Sequence, residues 1–82
     1  MKKLQIIKDV IEIIDVQFGV EADTNYKFKD DVGLDSLDEV VIVMECEKLY
    51  KISVEDDDIR DMDNQTVEEF AEMLFVKYLK DK

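Results

Sequence analysis

The 82-residue sequence predicts an all-α protein, a small four-helix bundle with three long helices and one short third helix. Three observations predict it: apolar residues recur at spacings of three and four in two segments, capping signals precede helix-forming stretches, and proline is absent. The length suits one modest core and not two, so residues 1–82 are read as a single domain.

Leu4, Ile7, Val10, Ile11, Ile14 and Phe18 define the first helix, over residues 4 to 18, with Lys8, Glu12 and Asp15 between them. Gly19 ends it as a left-handed cap. The stretch from Val20 to Gly33, rich in Asp, Asn and Thr, reads as a long loop whose Tyr26 and Phe28 fold onto the core. Asp35 then serves as N-cap of a second helix, with Ser36 at its first position and Asp38 at its third, running to about Tyr50. Its centre, VVIVM, is β-branched enough to propose a strand instead. That alternative loses because Asp38, Glu39, Glu45, Glu47 and Lys48 bracket the run without turn signals.

Residues 52 to 62, ISVEDDDIRDM, predict a short helix or single turn capped by Ser53 or Asp56, with Ile59 and Met62 facing inward. Thr66 followed by Glu69 is a capping box, after which Val67, Phe70, Ala71, Leu74, Phe75 and Tyr78 repeat at helical spacing to near the C-terminus.

Composition narrows the function. The net charge of -11 opposes binding to nucleic acid and to anionic membrane, and favours basic partners. No apolar run spans a bilayer, and Asp9, Glu12 and Asp15 interrupt what would be a signal peptide, so the expectation is a cytoplasmic chain. One cysteine and no histidine leave neither a disulfide framework, nor a Cys/His zinc site, nor the commonest general base. The stretch from Asp61 matches an EF-hand loop at Asp61, Asp63, Gln65 and Glu72, but Thr66 stands where glycine is needed, so no metal site is assigned. Cys46 lies on the core side of the second helix and is read as a small apolar residue.

The acidity is uneven. Residues 30 to 58 hold eleven acids against Lys48 and Lys51, whereas residues 1 to 29 balance. On the second helix Ile42, Val43, Cys46, Leu49 and Tyr50 share one side, and Leu37, Val40, Val41 and Met44 share the other. An apolar patch ringed by acids is suited to docking a partner that is apolar at its centre and basic at its rim, unless the long loop or the third helix covers it. Ser36, without a histidine, is no triad nucleophile, but its hydroxyl at a helix start can carry a phosphate. Asp35 and Asp38 oppose a second negative charge, so such a phosphate would be held loosely; Gly33 supplies backbone freedom upstream.

VGLDSLDEVVIVMECEKLY resembles the signature of acyl carrier proteins, and the likeness covers nearly the whole chain. The resemblance implies that Ser36 carries 4'-phosphopantetheine, donated by coenzyme A through a phosphopantetheinyl transferase, and that acyl groups ride on the arm's thiol and not on Cys46. It implies that Asp35, Leu37, Asp38, Glu39, Val40, Val41, Met44, Glu45 and Glu47 meet the transferase, the acyl-chain synthase enzymes and acyltransferases, and that the chain is a monomer without catalysis of its own. Val41 and Lys48 depart from the usual acidic row, Ser53-Val54 replaces a proline-containing turn, and the link from Asp61 to Gln65 is longer than usual. These departures leave fatty-acid, other lipid and polyketide routes open. Two alternatives stand beside this reading, an aminoacyl carrier and an acidic interaction or divalent-binding module without a prosthetic group.

Overall fold

A computed structural model describes residues 1–81. Its first helix, α1, spans Lys3–Phe18 and buries Ile6, Ile7, Val10 and Ile14. Leu4, expected in that stripe, is instead exposed, and Ile6 takes its place. At about 100° per residue both residues fall outside the Ile7, Val10 and Ile14 arc, on opposite flanks of it, and the bundle closes over the Ile6 flank. Gly19 caps α1 as expected, with φ 69° and its N–H donating to the Asp15 carbonyl at 2.8 Å.

The long loop that follows is held by backbone as much as by side chains. Its carbonyls at Thr24 and Tyr26 each accept, at 2.9 Å, from the amides of Glu68 and Val67. Those amides open a helix and have no partner within it, so the loop satisfies donors that would otherwise need water. Phe28 is fully buried and meets Phe70 edge-to-face, 5.4 Å between centroids, as an anchor should. Tyr26, the other expected anchor, remains at the surface, while Val32 and Leu34 enter the core instead.

The second helix, α2, spans Ser36–Tyr50 and buries Ile42, Val43, Cys46 and Tyr50. Leu49, expected beside them, is 54% exposed and borders a shallow groove against α1. Lys51, at φ 57°, ends the helix. A short helix, α3, spans Asp56–Arg60 and passes into a 3-10 turn at Asp61–Asn64. Neither Ser53 nor Asp56 caps α3: Glu55 occupies the N-cap position without a side-chain bond, and Asp56 is the first helical residue. Met62 is fully buried and Ile59 half-buried.

The last helix, α4, spans Val67–Leu74 behind the capping box, with Thr66 Oγ1 accepting from the Glu69 amide at 3.1 Å and Glu69 returning the bond at 2.8 Å. It continues as a π-helical turn at Phe75–Leu79. The wider turn shifts the inward register by one residue, so Leu79 is fully buried where the regular repeat had placed Tyr78, now half-buried. Four helices around one apolar core agree with the predicted class.

Candidate functional site

Ser36 sits where Gly33, at φ 84°, turns the chain into α2. Asp35 accepts from the Asp38 amide at 2.9 Å, and Asp38 accepts from the Asp35 amide at 3.2 Å. This reciprocal cap occupies both carboxylates and one of the helix's open amides, and leaves the exposed Ser36 hydroxyl outside it. An anion on that hydroxyl finds the positive end of a helix whose third amide is already taken. Such a helix start leaves room for an anion beside the serine hydroxyl without a full set of free amides to grip it.

Around Ser36, α2 presents apolar side chains to solvent. Leu37 is 76% and Met44 54% exposed, Val40 also reaches the surface, and Val41 is half-buried. The long loop and α3 leave Leu37 and Met44 open, while α3 stands across a groove from Val40. Its acids are more engaged than an exposed rim would be. Glu45 pairs with Lys48 at 3.0 Å, and Glu47 accepts from the Val54 amide at 2.9 Å, tying the link after α2 to the helix.

Glu39 is the clear departure. Expected on the partner-facing rim, it is only 2% exposed. Stepping about 100° per residue places it between Val43 and Cys46, inside the buried arc, so the helical wheel held a signal that the acidic character of the segment obscured. It lines an open groove of about 440 Å³ in which Ser36 and Val40 on α2 face Ile59, Arg60 and Asp63. Burial, then a hydrogen bond and like charge from Asp63, push its carboxyl up to about 8, against a smaller downward pull from Lys29. Glu39 is thus a neutral acid at pH 7.

A second buried acid, Asp58 on α3, also escaped the sequence reading. Lys77 donates to its two oxygens at 2.9 and 2.8 Å, and the Tyr78 hydroxyl donates to it as well while accepting from the Glu55 amide at 3.0 Å. Burial pushes the Asp58 carboxyl up, but these donors outweigh it and hold it below the usual range. The cluster fastens α3 to the end of the last helix, and so fixes the far wall of the groove beside Ser36. An aspartate beside other aspartates carries no periodic signal that singles it out.

Cys46 lies in the core, where burial pushes its thiol up to about 12, and it stays protonated and unreactive. Among the described residues, no group of acids, cysteines or histidines is arranged to hold a metal ion, and no helix is long and apolar enough to cross a membrane.

Comparison with known proteins adds to this geometry. A family model described as a phosphopantetheine attachment site matches residues 4–74. An acyl carrier protein of Exiguobacterium sibiricum is 42% identical over 60 residues, covering 70% of this chain and 76% of the relative. One from Chlorobium phaeobacteroides is 39% identical over 61 residues, covering 71% and 78%. One from Aster yellows witches'-broom phytoplasma is 37% identical over 54 residues, covering 62% and 71%.

Proposed function

The chain belongs to the phosphopantetheine-attachment family that includes the acyl carrier proteins, and from that premise we propose that residues 1–82 form one carrier domain with Ser36 as its attachment point. It is a phosphopantetheine-bearing acyl carrier of fatty-acid biosynthesis. The observation that carries the assignment of Ser36 is its exposed hydroxyl at the first turn of α2, free of the Asp35–Asp38 cap and bordered by exposed Leu37.

When bound, 4'-phosphopantetheine supplies a terminal thiol that holds acyl groups as thioesters. The residues of the chain do the rest of the work. Asp35 and Asp38 fix the helix start so that the Ser36 hydroxyl faces solvent, and their charge keeps an attached phosphate from settling onto the helix end. Leu37, Val40, Val41 and Met44 offer the apolar centre of a docking face, with Asp35, Asp38, Glu45 and Glu47 around it. The transferase, the synthase enzymes and the acyltransferases meet that face with basic rims, and the charge of the segment speeds and weakens these encounters in a salt-dependent way. Glu39, being buried, has no place in the docking face. The chain acts as a cytoplasmic monomer that contributes no catalysis and presents its cargo at high effective concentration to each docked enzyme.

Intact mass after incubation with coenzyme A and a phosphopantetheinyl transferase tests the reading. One pantetheine adduct is expected on the parent chain and none on Ser36→Ala. An adduct on the alanine variant would refute the assignment.

A further inference from the structure

Glu39 stands three residues after Ser36, one helical turn along the same flank of α2, and lines the groove that opens beside it. Its Oε2 is buried with no hydrogen-bond partner among the described residues. The neighbour that bears on the Glu39 carboxyl from across the groove is Asp63, another acid and not an amide or a cation, so that oxygen is left without a donor. A buried acceptor without a donor is costly, and saturated hydrocarbon passing over it supplies none. Val40 and Ile59 are the apolar members of the lining; Asp56, Arg60 and Asp63 add polar groups to the same walls. A plain acyl chain entering here covers the groove walls at Glu39 and Asp63 and returns no hydrogen bond to them.

We propose that Glu39 sets the cargo class of this carrier, accepting a hydrogen bond from a donor on the tethered group and opposing burial of a fully saturated chain in the groove beside Ser36. The donor is a hydroxyl on the acyl chain. The proposal rests on the carrier reading with Ser36 as attachment point, and it narrows that reading to hydroxyl-bearing or short acyl groups as the ones the fold shelters.

The test loads the full chain with three hydrolysis-resistant thioether arms, ending in methyl, octyl or 3-hydroxyoctyl, and confirms each adduct by mass. Absence of any adduct would overturn the carrier reading itself, and the proposal with it, before Glu39 is probed. With adducts in place, thermal unfolding and the carboxyl-carbon resonance of Glu39 are recorded. In the parent, the octyl arm is expected to leave Tm within about 1 °C of the methyl arm, and the 3-hydroxyoctyl arm to raise it by about 4 °C or more, the shift of one added hydrogen bond in a domain of this size. In Glu39→Leu, the octyl arm should raise Tm by a similar amount and the advantage of the hydroxyl should vanish. Glu39→Gln, which keeps an acceptor oxygen and the side-chain shape, should retain the parent's preference and guards against a leucine variant that folds poorly. If the methyl arm alone moves the Glu39 resonance and the hydroxyl adds nothing, Glu39 serves the arm and not the cargo, and the proposal falls. An octyl arm that stabilises the parent as much as Glu39→Leu, or a Glu39 resonance unmoved by all three arms, would overturn the proposal.

Discussion

Glu39 and Asp58 are both acids withdrawn from water, one on α2 and one on α3, and they end in opposite charge states. Asp58 has an ammonium and a phenol pointed at it and stays ionised. Glu39 has a second acid and stays neutral. The difference teaches that burial alone does not decide the role of a charge: the partner does. The Asp58 cluster is closed, with its acceptors met inside the protein, and it serves the fold. The Glu39 pair is left with unmet acceptor capacity beside the attachment point, and it serves whatever occupies the groove.

The largest expected effect that sharpens this contrast is in the pH dependence of stability. Glu39 has its folded value raised from 4.5 to about 8, so between those values the folded state holds a proton that the unfolded state has lost. Stability from this group is full below pH 4.5 and falls as pH rises through about 8, with a slope of up to about 1.4 kcal/mol per pH unit. Asp58 has the opposite sign. Its value is lowered, so its contribution is present above the ordinary aspartate range and is lost as pH falls through its folded value. The two windows do not overlap. Urea unfolding from pH 5 to 9 should show the parent losing stability up to about pH 8 and levelling off beyond it, and Glu39→Gln losing little throughout. An equal slope in both would break the comparison.

Next in size is removal of the closed cluster. Asp58→Ala withdraws the acceptor from Lys77 and Tyr78 and loosens α3 from the last helix, at a cost of about 1–3 kcal/mol at pH 7. The cost should shrink in acid, where the parent's carboxyl is protonated as well. Amide exchange of residues 56–64 should accelerate in the variant while α1 stays protected. A variant as stable as the parent at pH 7 would show that the cluster closes nothing.

What the sequence made legible follows from which signals are local. The caps at Gly19, Asp35 and Thr66 depend on a few consecutive residues and were readable, as were the bounds of α2 and the buried Phe28. The family signature around Ser36 is equally local. The misplaced residues depend on contacts far along the chain. Tyr26 stays out because loop carbonyls, not its ring, bond α4. Leu79 replaces Tyr78 because the helix widens, and the Tyr78 hydroxyl is tied to Asp58 twenty residues upstream. Glu39 was misread by trusting residue type over angular position: an acid in an acidic segment was assigned to the surface, although its phase on the wheel was that of Val43 and Cys46.

The smallest expected effect comes from a third acid, Asp9, which is half-buried at the other end of α2 and accepts from the Tyr50 hydroxyl at 2.7 Å. This pair joins α1 to α2 with a neutral donor and no cation, so it separates the value of a hydrogen bond from that of a charge partner. Tyr50→Phe keeps the buried ring and removes only the hydroxyl, at an expected cost of about 0.5–1.5 kcal/mol by urea unfolding at pH 7. The loss should fall below that of Asp58→Ala, because Asp9 is open enough to take water in place of the phenol, whereas the Asp58 variant loses its bonds to both Lys77 and Tyr78. If the two substitutions cost the same, the lysine adds nothing beyond what one hydroxyl provides. The distinction between Asp58 and Glu39 would then lie in having any donor at all, which is the quantity that the unmet acceptor of Glu39 lacks.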